Sequence, residues 1–148
     1  MGITNFIYRI KTPCWKRQGF SIPLLLFVEA GKDGEKFSFI REKDIYALLG
    51  NILDHAIGAS EKRKKDEERL VSISTISKEG FIRIHEENFF DGDLIYENNV
   101  LKTTKQNKLY HGFGVKSIKL IAEKYHGNVS ISAKDGKFIL DILFPIQK

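Results

Sequence analysis

Two stretches of this chain carry side chains whose types and spacing could do chemistry. The first is Asn51-Ile52-Leu53-Asp54-His55, inside the run DIYALLGNILDHAIGAS. On a helix, side chains four apart share a line. Asn51 and His55 then stand together at the rim of an apolar stripe formed by Ile45, Leu48, Leu49, Ile52, Leu53 and Ala56. A polar pair in that position looks into a cleft. The second stretch is His111-Gly112-Phe113-Gly114-Val115, read as a loop running into a helix. Glycines there let backbone N–H groups approach an anion closely, and a helix N-terminus adds its positive end. Thr103-Thr104-Lys105 lies just upstream and offers two hydroxyls and a cation. The chemistry this suggests is phosphate binding. Each stretch also has a plainer reading: a half-exposed Asn and His beside a core, and glycines that only make a turn.

The elements that must position these residues follow from periodicity. Ile3, Phe6, Ile7 and Ile10 have helical spacing up to Pro13, and SIPLLLFVEA has the length of a strand, at an edge or beginning with a bulge because of Pro23. GKDG reads as a turn and Lys36–Ile40 as a second short strand, giving a hairpin that leads into a helix starting near Glu42. The run EKRKKDEER alternates in sign, as a solvated helix end or loop does. Residues 70–76 alternate, SKEG turns, and residues 81–86 return. Residues 88–110 follow neither period and read as one long irregular connection. Gly112–Tyr125 is helical, with Ile118, Ile121, Ala122 and Tyr125 on one face. Two strands around the turn KDGK close the chain. Strands with helices over one face make an α+β, two-layer α/β sandwich with a mixed sheet.

Composition sets the bounds. A chain of 148 residues suits one domain with one core, and 42% hydrophobic against 29% charged residues is ordinary for a soluble globular protein, with no disorder signature. The net charge of +5 is compatible with an anionic ligand. No basic helix, zinc spacing or stacking motif points to nucleic acid. A lone cysteine, Cys14, excludes an internal disulfide framework and fits a reducing compartment. The longest apolar run, Ile22–Val28, is broken by Pro23 and is too short to span a bilayer. The N-terminus lacks the parts of a signal peptide, and Phe6 replaces the Ser or Thr of a myristoylation motif. The expectation is a soluble domain with no membrane contact of its own, which could form the cytosolic end of a longer membrane protein.

Taken together, these motifs resemble a known family. NILDH resembles the N box of the GHKL superfamily of ATP-binding domains, which includes the ATPase domains of sensor histidine kinases. ENFFDG, TTK and HGFGVKSIKLIAEKYHG resemble its adenine-contacting segment, lid and second glycine box. The subgroup it looks most like is the Agr-type peptide-pheromone sensor kinases, in which an Asn followed by an aromatic and a Gly replaces the commoner Asp-x-Gly-x-Gly. The resemblance runs from about Ile3 to Pro145 and implies the Bergerat fold, with a lid at about residues 89–110 of a single domain.

What the resemblance implies can be assigned residue by residue. Asn51 is the first polar position of the N box, on the metal and phosphate side, and His55 stands where the family usually has a second Asn that helps to bind Mg²⁺. Asn88 contacts the adenine, directly or through water. Thr103, Thr104 and Lys105 lie in the lid, with Lys105 in reach of phosphate. Gly112 and Gly114, with Phe113 and Val115, present backbone to the phosphates, and His111 anchors the lid. Gly58 stands at a position that is commonly acidic in the subgroup. Imidazole is a poorer ligand than a carbonyl oxygen for the hard Mg²⁺ ion.

The implied function is the catalytic domain of a bacterial two-component histidine kinase, cytoplasmic and active in quorum sensing. It would present Mg-ATP to a histidine on the dimerisation and phosphoacceptor helices of the same kinase, with a response regulator as the indirect partner. None of His55, His85, His111 and His126 lies in a phosphoacceptor pattern, so the chain needs that partner, and no residue of its own is a nucleophile. The alternative is a degenerate module that keeps the fold as a docking or regulatory surface, which His55 and Gly58 favour.

Overall fold

The computed structural model describes residues 25–30, 37–61, 70–90, 95–97, 100–102 and 108–146. Strand β1 (Leu25–Ala30) is followed by helix α1 (Glu42–Glu61) and the hairpin β2 (Leu70–Lys78) and β3 (Phe81–Phe89). A short pair, β4 (Ile95–Glu97) and β5 (Val100–Lys102), precedes helix α2 (Lys108–Lys124). The hairpin β6 (Asn128–Lys134) and β7 (Lys137–Pro145) ends the domain. Five strands form one mixed sheet in the order β1-β2-β3-β7-β6, with β1 parallel to β2 and the other pairs antiparallel. The α+β, two-layer reading holds.

Alternation places the core. Val71 and Ile73 of β2, Ile82 and Ile84 of β3, and Phe138, Leu140, Ile142 and Phe144 of β7 all point to the helix side. Leu48, Ile52 and Ala56 of α1 and Ile118 and Ala122 of α2 meet them there, as the three-and-four spacing requires. The two tight turns have positive φ at both residues, at Glu79 and Gly80 and at Asp135 and Gly136. That conformation matches the twist of antiparallel partners, and a glycine in each turn takes it without a Cβ clash.

Tyr125 fastens the two helices end to end. Its hydroxyl accepts from the backbone N–H of Arg41, 3.1 Å away, just before α1, and donates to Asp44 in the first turn of that helix. Lys124 adds an ion pair to Asp44 at 2.7 Å. The hydrogen bonds from Lys124 and Tyr125 hold the Asp44 carboxyl below its usual range. Beyond Tyr125 the chain leaves the helix through His126, at φ 60°, whose N–H bonds the carbonyl of Glu123. The N–H of Gly127 reaches back to the carbonyl of Ala122. This is the Schellman arrangement, with the left-handed position filled by a histidine.

Three expectations are corrected. Residues 37–40 form a tight helical turn, closed by Ile40 N–H on the carbonyl of Phe37, and not a strand. Phe37, Phe39 and Ile40 all pack on the core, with the Phe39 ring edge-on to Tyr125 and Phe144, so the alternation of that segment is not a sheet period. Among the described residues β1 forms no hairpin ahead of α1: it pairs in parallel with β2, and a parallel partner is reached by a crossover, here through α1. The connection at 88–110 is also not wholly irregular. β3 continues to Phe89, β4 and β5 pair with Glu97 opposite Val100, and α2 begins at Lys108. The expected N-terminal helix, the GKDG segment and, after Glu61 at the end of α1, the rest of EKRKKDEER lie outside the described residues.

Candidate functional site

Among the described residues, the buried polar or charged side chains are His55, Glu86 and Asn88. They come together at one place. Glu86 and Asn88 occupy successive helix-facing positions of β3, so both point into the layer between sheet and helices. Asn88 lies opposite Val71 on one side and Phe138 on the other, while Glu86 lies between Ile73 and Leu140. His55 comes down from α1 and packs its ring on Phe138, with centroids 4.5 Å apart. Phe90 closes the other side of Phe138 edge-on.

The hydrogen-bonding state of this floor is unusual for a core. Asn88 donates Nδ2–H to the carbonyl of Phe89 at 3.0 Å, but its Oδ1 is buried with no partner. Both carboxyl oxygens of Glu86 are buried and unpartnered too. Buried polar atoms are nearly always satisfied, so acceptors left open at a strand end call for an explanation. Burial pushes the Glu86 carboxyl well above the ordinary carboxylate range, and the charge of Glu87 adds to the shift.

The two stretches that began the sequence argument meet beside this floor. A Cβ built on Gly114 of α2 would lie 4.0 Å from the backbone oxygen of Asn51 on α1. Asn51 donates its Nδ2–H to the carbonyl of Ala47 at 2.8 Å, leaving its amide oxygen for other use. Val115, next to Gly114, is buried. His111, Gly112 and Phe113 fall inside the first turns of α2, because the helix starts one turn earlier than its apolar stripe indicates. With α2 assigned from Lys108, the N–H groups of Lys108, Leu109 and Tyr110 come before its first intrahelical donor. Thr103, Thr104 and Lys105 lie outside the described residues.

His55 sits deeper than the expected rim: it is 3% exposed and stacked on a phenylalanine, while Asn51 is half-buried. No group of three His, Cys, Asp or Glu side chains among the described residues is placed to hold a metal. Of the two positions expected to face a metal, Asn51 offers an amide oxygen and His55 a buried imidazole. An amide oxygen such as that of Asn51 suits a Mg²⁺ ion that takes its other ligands from water and phosphates, whereas the buried imidazole of His55 does not. A separate cavity of about 260 Å³ lies under the start of α1, lined by Phe37, Ile45, Leu49 and Ile84 among others, and it is apolar.

Sequence reading missed Glu86. On the outer face, Nδ1 of His85 lies 2.6 Å from Asp141 and its Nε2 3.0 Å from Glu87, and Arg83 bonds Asp141 at 2.7 Å. The signal for Glu86 was available: it has the same parity as Ile82, Ile84 and Asn88, and so had to face inward.

Comparison with known proteins agrees with this geometry. Residues 40–145 match the model of the GHKL domain family, and the chain belongs to that family. No curated protein matches the sequence. Among solved structures, the chain is similar to the catalytic domain of histidine kinase ThkA, at 17% identity and TM-score 0.53, covering 72% of this chain and 69% of that one. It is similar to Acinetobacter baumannii histidine kinase AdeS at 17% identity and TM-score 0.51, covering 72% of this chain and 47% of that one. It is also similar to the histidine kinase domain of an Erythrobacter litoralis blue-light activated kinase, at 15% identity and TM-score 0.56, covering 86% and 54%. The chain thus spans about half the length of AdeS. At these identities the likeness shows the shared fold. No described helix is long and apolar enough to cross a membrane.

Proposed function

We propose that this chain is the ATP-binding catalytic domain of a two-component histidine kinase of the Agr-type peptide-pheromone sensor subgroup, acting in quorum sensing on the cytoplasmic side of a bacterial membrane. The observation that carries the reading is the buried, unpartnered Oδ1 of Asn88 at the end of β3, beside the meeting of Asn51 and Gly114. An acceptor there suits the exocyclic amine of adenine. Asn51 and the α2 backbone near Gly114, with Thr103, Thr104 and Lys105 of the lid, would then flank the phosphates.

ATP brings the phosphoryl group, and transfer of this kind depends on positioning and charge rather than on a protein nucleophile. This chain's residues bind the base, orient the phosphates and point the terminal one toward a histidine on the partner dimerisation helices. Asn51 supplies an amide oxygen on the phosphate side and His55 an imidazole that suits Mg²⁺ poorly, so the affinity for ATP should depend little on a protein-held metal. The burial of His55 against Phe138 favours a second reading, a GHKL module that has lost nucleotide and serves as a docking domain.

Calorimetric titration with ATP, with Mg²⁺ and with chelator, on wild type and Asn88→Ala separates them. The first reading expects binding that falls about tenfold or more in the variant, whose loss removes a buried acceptor. No heat at millimolar nucleotide from the wild type would favour the docking module.

A further inference from the structure

The buried carboxyl of Glu86 has no part in the reading above, yet it lies in the same floor. It is 0% exposed, has no hydrogen-bond partner, and stands two residues from Asn88 on the same face of β3. Its strand neighbours on that face are Ile73 and Leu140, neither of which can bond it. His55 of α1 is the other buried titratable side chain of this floor, and Glu87 of β3 faces the opposite side of the sheet. A purely structural core position on this strand would hold an apolar residue, as Ile82 and Ile84 do. An acid in that place is worth its desolvation only if something meets it.

Resting on the nucleotide reading, we infer that Glu86 is a second, specificity-determining contact to the base. Its neutral carboxyl donates to ring N1 of adenine, directly or through one buried water, while Oδ1 of Asn88 accepts from the exocyclic amine. The floor thus offers a donor beside an acceptor. Adenine presents the complementary acceptor and donor on its Watson–Crick edge. Guanine presents the reverse, a donor at N1 and an acceptor at O6, and would set O6 against Oδ1 of Asn88. The environment of Glu86 favours the protonated, donating form: apolar partners on both adjacent strands and no cation bonded to it. A bridging water preserves the pattern, since it passes a hydrogen bond from one donor to one acceptor.

The test uses ATP and 1-deaza-ATP, in which a C–H replaces N1, titrated into wild type, Glu86→Gln and Glu86→Met, with thermal unfolding to check that each variant folds. Wild type should bind 1-deaza-ATP about tenfold more weakly than ATP, the loss of one buried hydrogen bond. Glu86→Gln keeps an N–H donor and should keep most of that difference. Glu86→Met should bind ATP about tenfold more weakly and no longer distinguish the two ligands. Wild type that binds ATP and 1-deaza-ATP equally would overturn the role of Glu86 while leaving the nucleotide reading intact. So would a Met variant that discriminates as wild type does. Wild type that binds neither ligand would overturn both.

Discussion

The imidazole of His55 packs on the ring of Phe138 with 4.5 Å between centroids, directly above the rung that joins Phe138 to Asn88. That contact makes His55 part of the packing over Asn88 and Glu86. The ring is 3% exposed, so its replacement is first a packing event.

His55→Asn follows from that placement. The amide is smaller than imidazole and loses the face against Phe138. The variant should be less stable by about 1–3 kcal/mol in urea or thermal unfolding, in the range of core truncations. An Asn at this helical position would also restore the family's usual N-box residue. A gain in ATP affinity seen with Mg²⁺ and absent with chelator would return the position to a metal-facing role. An unchanged metal dependence keeps it in the packing.

Glu86 and Asp141 should give opposite pH slopes. Burial raises the folded-state pKa of Glu86 above its model value of 4.5, so above that pH the unfolded chain releases this proton while the folded chain retains it. Its share of stability is fully present below about 4.5 and is lost as pH rises through the folded value. Glu86→Gln should flatten that alkaline-side decline, and Glu86→Leu should raise stability by about 1–3 kcal/mol by removing an unsatisfied buried group. For Asp141, partial burial pushes upward, but hydrogen bonds from Arg83 and His85 outweigh it and hold the carboxyl below its model value of 3.8. Its contribution is present above about 3.8 and is lost as pH falls through the lower folded value. Denaturation curves at several pH values for Glu86→Gln and Asp141→Asn check both signs. A Glu86→Gln profile parallel to wild type would exclude a raised Glu86.

Much of this fold could be read along the chain wherever one period ran unbroken. The stripe from Ile45 to Ala56, the alternation of β2 and β7, and the stripe of Ile118, Ala122 and Tyr125 all face the core as expected. The failures share a physical cause. Phe37, Phe39 and Ile40 look alternating because aromatic residues around a tight turn bury themselves by tertiary contact. The parallel pairing of β1 with β2 depends on residues far apart in sequence, which no local period encodes. The first turn of α2 carries Lys108 and precedes two glycines, so it lacks the apolar repeat that marks the rest. At the site, Asn88 stood out through its motif, whereas Glu86 was hidden by the habit of placing charge outside. Strand parity alone would have turned it inward.

Two glycines of the same helical region should answer substitution in opposite ways. A Cβ on Gly127 would lie 2.8 and 2.9 Å from carbons of the Phe144 ring and 3.1 Å from the carbonyl of Ala122. Phe144 is fully buried and the Ala122 carbonyl accepts the N–H of Gly127 itself, so neither can move aside without disturbing the core or the helix end. Gly127→Ala should therefore lower stability by about 1–3 kcal/mol, as overpacking does. At Gly114 the nearest atom to a Cβ is the backbone oxygen of Asn51 at 4.0 Å, an ordinary contact, and the residue lies in the body of α2. Gly114→Ala should leave stability unchanged or raise it by up to about 1 kcal/mol, since alanine favours the helix. The added methyl, however, narrows the gap between α1 and α2 where the phosphates are proposed to lie, so ATP affinity should fall. Thermal unfolding and calorimetric titration of the same two variants separate these effects. A Gly114→Ala protein that is as stable as wild type and binds ATP equally well would remove the phosphates from the Asn51–Gly114 gap.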